Sequence, residues 1–436
     1  MNNLIIHNAK YLLTVNDSNE ILRGATVVIR DGAIESINPA VEPTDVEFEL
    51  FDASGHLIMP GLINTHTHLA MSLLRGWAEG VNLDGFLERV WAAEGAIMNR
   101  ETCALGTELG AGEALLGGTT TTLDMYLHPD ATHRAAVKVG LRHVAGPIFF
   151  DFPGLDGLEW SERIEFARRW PNVHLEIGGA QTPLFFMPHS VYTDSAEHLS
   201  EVAGLAKEFG ARIHLHVSET EAENAVSEKN HGKTPTELLR DIGILDAPTT
   251  FGHGVHLSDS DIAIVNSSKA SVAHCPGSNL KLGSGVADIN KYLAAGLTVG
   301  LGTDGCSSSN DLDMWAVMRL AAHLVALKHS PAEVDLTKII RAATIEGARA
   351  VGLSEVVGSI EIGKEADLIA IDLGALHLTP VHNVAALLVF AAGRSDVSDV
   401  WVAGQRVVRD RSLMNVDEAD LRHRVESRMS ALDSLR

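Results

Sequence analysis

From residue 58 onward, short apolar runs of strand character alternate with longer helical patterns, and the alternation repeats eight times. The runs are IMPGLIN (58–64), TTTTLDMY (119–126), RHVAGPIFF (142–150), VHLEIGGA (173–180), RIHLHVS (212–218), TTFGHGV (249–255), ASVAHCP (270–276) and TVGLGTD (298–304). Between them lie helical stretches such as SAEHLSEVAGLAKEFG, with a glycine stop signal at the end. Strands joined by helices point to parallel pairing, and eight such units are the count of a (β/α)8 TIM barrel. The expected fold is therefore α/β. Residues 58–357 form the barrel. Residues 1–57 and 358–410, both rich in short alternating β segments, form a small composite β-sandwich from the two chain ends. Residues 411–436 form a charged C-terminal helix.

The chain is 436 residues long and 45% apolar, enough for a large core. Its formal net charge of -23 argues against nucleic acid or an anionic membrane surface as a partner. The three cysteines, Cys103, Cys275 and Cys306, contain no CxxC pair and make a poor disulfide framework, which favours a reducing cytoplasmic setting. Neither a signal peptide nor a transmembrane run is expected.

Barrel enzymes carry their chemistry at the C-terminal ends of the strands. The first run leads into GLINTHTH, where His66 and His68 are two apart and share a face of a strand. The fifth leads into HLHVSE, with His214, His216 and Glu219; the sixth gives His253 and His256; the seventh carries His274; the eighth ends at Asp304. Imidazoles and a carboxylate converging on one rim from distant runs point to a metal site. His66, His68, His216 and Asp304 form the expected ligand set. It suits one Zn2+ per subunit, and Fe2+ is compatible with the same donors. In that arrangement Asp304 doubles as proton acceptor for a water, Glu219 protonates a ring nitrogen of the substrate, and His253 hydrogen-bonds the water or the developing oxyanion. His214 points the same way as His216, with no role assigned by spacing. His256 reads as structural and His274 as support behind a ligand. Cys306 reads as a small wall residue, since a metal already supplies the nucleophile.

PGLINTHTH, HVSET, GHGVHL, SVAHCPGSNLKLGSG, LGTDGCSSSNDLDM and GKEADLIAID resemble the amidohydrolase superfamily, from the first β segment to about residue 410. The branch they resemble most deaminates 5′-methylthioadenosine and S-adenosylhomocysteine, with the triazine hydrolases nearby. The resemblance implies a single metal on the positions named above, because no lysine stands in the fourth run to bridge two. It also implies substrate contacts: Glu94 to ribose hydroxyls, His189 to the purine, and Phe86 where the family carries an aromatic. Relatives that bind a substrate carboxylate use arginines after the third strand. Here that region reads AGPIFFDFPGLDG and has none, which ranks an uncharged adenosine above S-adenosylhomocysteine. The resemblance implies a homo-oligomer acting on a small molecule. The alternative is an aminohydrolase or chlorohydrolase on another heterocycle (a triazine, guanine or a pterin). A non-catalytic binding relative ranks last, since no ligand position has been lost.

Overall fold

The computed structural model describes residues 3–40 and 47–430 of the chain. Its parallel strands are β1 (Leu62–Thr67), β2 (Thr119–Asp124), β3 in two pieces (Arg142–Ala145 and Ile148–Phe149), β4 (Phe185–Pro188), β5 (Arg212–Val217), β6 (Thr249–His253), β7 (Ala270–His274) and β8 (Val299–Leu301). Every paired neighbour runs parallel. The ladder comes in two parts, a three-stranded sheet ending at the first piece of β3 and a six-stranded sheet starting at the second. The break falls at Gly146-Pro147. Pro147 has no N–H to donate, and a Cβ at Gly146 would lie 2.1 Å from the Phe185 carbonyl oxygen. At the far edge, β1 meets the segment around β8. Thr65 Oγ1 donates to Leu301 O (2.9 Å), and the Thr303 and Asp304 N–H groups donate to Asn64 Oδ1 (3.1 Å) and His66 O (3.0 Å).

Two of the eight runs fold otherwise than their patterning suggests. Residues 173–180 are not a strand: VHLEI closes the helix Trp160–Ile177, and the fourth strand is the bulky run Phe185–Pro188. Pro171 inside that helix hides its continuity, because proline normally ends a helix. The first run is two strands. His56–Pro60 pairs antiparallel with Leu368–Asp372, and only after Gly61 does β1 begin. A Cβ at Gly61 would lie 2.2 Å from Thr120 Oγ1, so the chain turns there only as glycine. The division between the end segments and the parallel strands therefore falls at Gly61, not between 57 and 58.

The chain ends build a four-stranded sheet (Ala33–Ile37, Ala25–Arg30, Leu4–Ala9, Glu49–Asp52) and a seven-stranded one that includes His56–Pro60, Leu368–Asp372 and Val397–Val402. Leu4, Val27 and Phe51 from the first share a buried cluster with Ile58, Leu368 and Trp401 from the second. Beyond residue 410, Ser412–Leu413 is a strand pairing with Gln405–Arg409, and the expected terminal helix is confined to Glu418–Met429. The last six positions of that expectation, 431–436, lie outside the described residues. No helix among the described residues is long and apolar enough to cross a membrane.

Candidate metal centre and its cavity

The six side chains expected at the centre of the chemistry meet at one end of the parallel strands. His66, His68 and His216 offer ring nitrogens that all lie within 4.8 Å of one another, and so do the donor atoms of His66, His253 and Asp304. Asp304 Oδ1 stands 3.3 Å from His66 Nε2 and 3.1 Å from His68 Nε2, and His216 Nε2 stands 3.4 Å from His68 Nε2. The ends of β1 and β8 approach closely because glycines flank Asp304. A Cβ at Gly302 would lie 2.9 Å from His66 O, and one at Gly305 would lie 2.7 Å from Met71 Sδ. Asp304 and His253 both hold left-handed backbones, at φ 61° and 69°, a conformation non-glycine residues keep only where surrounding structure imposes it.

The protonation pattern follows from the partners of the other ring nitrogens. His68 Nδ1–H donates to Met125 O (2.6 Å) and His216 Nδ1–H to His189 O (3.0 Å). His214 Nδ1–H donates to Thr250 O (2.8 Å), which leaves its Nε2 to accept from His66 Nδ1–H at 2.7 Å. Each of His66, His68 and His216 therefore turns an Nε2 lone pair inward. His214, for which spacing gave no role, sets the tautomer of His66. Burial lowers His66 to about 4 and keeps it neutral, and its Nε2 is buried with no hydrogen-bond partner.

Lone pairs of imidazoles and a carboxylate brought to 3.1–3.4 Å repel one another unless a cation lies among them. A proton between His68 and Asp304 answers part of this: burial pushes His68 down, but Asp304 outweighs it and holds the ring up at about 9. A divalent ion answers all of it. Ligand atoms about 2.0–2.2 Å from a tetrahedral zinc stand roughly 3.3 Å apart, and three pairs among these atoms stand at that spacing. The donor set thus fits one ion held by His66, His68, His216 and Asp304. The far oxygen of Asp304 accepts from Ser278 Oγ and Ser308 Oγ, both at 2.7 Å.

Glu219 sits just past β5. Its own N–H and that of Ser218 donate to the Glu223 carboxylate (2.8 and 2.9 Å), which pins the strand end. Ser284 Oγ donates to Glu219 Oε1 at 3.3 Å, and His253 Nε2 lies 3.7 Å from Oε2. Burial raises the Glu219 carboxyl above its ordinary range. His253 Nδ1–H donates to Asn279 Oδ1 at 2.9 Å, so its Nε2 faces the centre. His256 Nε2–H donates to Ser284 O, a structural tie. His274 is fully buried with neither ring nitrogen hydrogen-bonded, and so supports no ligand through such a bond. Cys306 is buried, and burial pushes its thiol up to about 12, too high for a nucleophile near neutrality.

A cavity opens directly on this centre, and the three expected substrate contacts line it: Glu94, Phe86 and His189. Helix Leu83–Ile97 gives it one face, since Leu83, Phe86, Leu87, Val90, Trp91 and Glu94 recur at helical spacing. Opposite stands the loop after β3, with Phe150, Phe152 and Leu155. The Trp91 and Phe152 rings are 6.0 Å apart. No lysine or arginine is among the lining residues. Glu94 is 3% exposed, where a helix-surface glutamate would stand in water. Burial raises it to about 7. His189, lowered to about 3 by burial, presents a neutral ring. Sequence reasoning missed Tyr126, Tyr192, Trp91 and Phe152 in this wall, and Ser278, Ser308 and Asn279 behind the centre.

The amidohydrolase family model matches residues 57–407. The chain belongs to the amidohydrolase family. It is 35% identical to a 5-methylthioadenosine/S-adenosylhomocysteine deaminase of Thermodesulfovibrio yellowstonii, over 97% of each chain. It is 37% identical to a 5′-deoxyadenosine deaminase of Methanosarcina mazei, over 96% of this chain and 95% of that one. An adenosine deaminase from Xanthomonas campestris with bound zinc shares the fold at a TM-score of 0.92 and 33% identity, over 99% of each chain. Membership makes this protein a hydrolytic enzyme, and the deaminase relatives match the chemistry expected of its ligand set.

Proposed function

We propose that this amidohydrolase deaminates an adenine nucleoside to the inosine form, releasing ammonia, and that its preferred substrates carry an uncharged 5′ substituent, as in 5′-methylthioadenosine or 5′-deoxyadenosine. On this reading the two parallel sheets are one (β/α)8 barrel, the chain-end sheets are its sandwich, and the protein is a cytoplasmic homo-oligomer. The observation that carries the substrate class is Glu94, a buried carboxylate facing the cavity that also holds the metal-binding set. A ribosyl substrate gives that carboxylate two hydroxyl donors. A triazine, guanine or pterin leaves it buried without them, at a cost of about 1–3 kcal/mol or more. The names of the relatives support the same class.

His66, His68, His216 and Asp304 would hold a zinc ion, which would acidify a water beside them toward a pKa of about 7. The chain's own groups do the rest. Asp304 takes a proton as the water oxygen bonds to C6 of the purine. Glu219, whose carboxyl burial raises above its ordinary range, gives its proton to N1, so charge does not build up on the ring. His253 Nε2, its other ring nitrogen donating to Asn279 Oδ1, accepts a hydrogen bond from the water and steadies it. The C6–N bond then breaks, the amine leaves with the proton passed to it from Asp304, and the oxygen's remaining hydrogen restores the Glu219 acid. His189 meets the purine edge, and the Phe86 side of the cavity covers the ring.

The 5′ side lies among Leu87, Trp91, Phe152 and Leu155, with no cation to meet an amino-acid carboxylate. Initial rates on 5′-methylthioadenosine, 5′-deoxyadenosine, adenosine and S-adenosylhomocysteine test this. The expected result is a kcat/KM for the first two at least about tenfold above that for S-adenosylhomocysteine, the penalty of an unpaired charge at an apolar wall. A preference for S-adenosylhomocysteine contradicts the assignment of the 5′ side. Turnover of triazines, guanine or pterins but of none of the nucleosides contradicts the substrate class.

A further inference from the structure

Glu94 reaches the cavity from helix Leu83–Ile97, and Tyr126 reaches it from the end of β2. The two meet: Tyr126 Oη donates to Glu94 Oε1 at 2.5 Å, with both side chains buried. No other hydrogen bond to the Glu94 carboxylate exists among the described residues, and Oε2 has none. The preceding residue contributes as well, because Met125 O accepts the Nδ1–H of His68. One dipeptide, Met125-Tyr126, therefore aims both an imidazole of the metal centre and the carboxylate in the cavity wall.

We propose that Tyr126 is a positioning residue for substrate recognition: its hydroxyl sets the rotation of the Glu94 carboxylate so that Oε2 and the remaining lone pair of Oε1 receive the vicinal hydroxyls of the substrate. This rests on the ribosyl reading given above. The chemistry is specific. In its ionised form the carboxylate accepts along about four lone-pair directions and donates nothing. Tyr126 takes one, and a diol needs two. Phe86 and Val90, which line the cavity from the same helix, are apolar and cannot orient a carboxylate. Without the phenol, the terminal torsion of Glu94 is broad and two-fold, and each substrate must order it on binding. Tyr126 itself stays a donor: burial first, and then the charge of Glu94, hold its hydroxyl well above the usual range. The phenol hydroxyl is committed to Glu94, so its effect belongs in binding and not in the chemical step.

Adenosine and 2′,3′-dideoxyadenosine differ only in the diol and make the test. Tyr126→Phe removes one oxygen and leaves the ring in place, so zinc content and melting temperature are expected to remain those of the wild type. The expected kinetic result is a KM for adenosine raised about tenfold, the scale of one hydrogen bond to a charged group, with kcat within about twofold. The kinetics of 2′,3′-dideoxyadenosine stay unchanged. In a Glu94→Gln background the same substitution is expected to add nothing to KM. Equal effects on both nucleosides, or no effect on either, overturn the proposal, as does an added effect in the Glu94→Gln background. Glu94→Gln alone separates the two layers of the argument. If it leaves the preference for adenosine over the dideoxy compound intact, the ribosyl reading itself falls. If it abolishes that preference while Tyr126→Phe does nothing, only the positioning role falls.

Discussion

Glu219→Gln is expected to keep its metal and lose turnover by about 10³-fold, within the 10²–10⁴ range that a positioned proton donor contributes. The substitution is nearly isosteric. It preserves an acceptor for Ser284 Oγ and touches none of the four ligand side chains. What it removes is a proton held in reserve. Burial favours the neutral acid, and the charge of Asp304 adds to it, while His253 pulls the other way. The balance lies above the ordinary carboxylate range. The sign of the pH dependence follows. Because the protonated form is the active one, kcat falls as pH rises through the raised pKa, and that alkaline limb lies above the position of an exposed glutamate. The variant should lose the limb together with the rate. Metal analysis and kcat against pH check both parts. Retention of a tenth or more of the wild-type kcat with zinc bound would show that another group supplies the proton.

The second large effect is expected from Asp304→Asn. Asp304 brings the only carboxylate to the ligand set, and its side chain stands within 3.3 Å of two of the histidines. Burial pushes its carboxyl up, yet His66 and His68 outweigh burial and hold it well below its usual range. Asparagine keeps the shape and removes both the charge and the capacity to take a proton. Zinc affinity should fall at least about 100-fold, the upper end of what removing mere outer partners of a ligand costs. With zinc in large excess, kcat should still be down about 10³-fold, because water loses its proton acceptor. Competition with a chromogenic chelator measures the first effect, and steady-state rates at saturating zinc measure the second. Full recovery of kcat at high zinc would confine Asp304 to metal binding.

Much of this centre could be read from sequence because strand ends have a simple geometry. The period of two puts His66 and His68 on one face, and the same rule makes His214 and His216 companions on β5. The interval from His216 to Glu219 carries the chain just over the strand end. The structure brings these side chains to one end of the parallel strands. Helical spacing from Leu83 to Glu94 also carries this signal, since positions 83, 86, 87, 90, 91 and 94 form one face and mark Glu94 as inward.

Other features depended on partners far away in the chain. Tyr126 lies in TTTTLDMY with nothing local to mark it, and its significance comes from Glu94, 32 residues earlier. The task of His214 required the Thr250 carbonyl and His66, which strand order alone brings near. The errors in the fold have local causes. Pro171 within Trp160–Ile177 broke a helical pattern, and the last turn then passed for a strand. The bulky run at Phe185–Pro188 is only four residues long, too short for its period to stand out. Pro60-Gly61 joins two strands of different sheets in one apolar run, and only the tight contact with Thr120 shows why the chain divides there.

The central claim is that this chain's histidine–aspartate centre hydrolyses the exocyclic amine of an adenine nucleoside. The most direct measurement follows 5′-methylthioadenosine with zinc-loaded protein, with chelator-stripped protein, and with stripped protein given zinc again. Ultraviolet absorbance reports conversion of the adenine to the hypoxanthine ring, and ammonia is assayed in parallel. The account predicts one ammonia released per nucleoside converted, loss of turnover on stripping, and its return with zinc. Zinc-bound protein that converts no nucleoside, or stripped protein that converts it at the full rate, would contradict it.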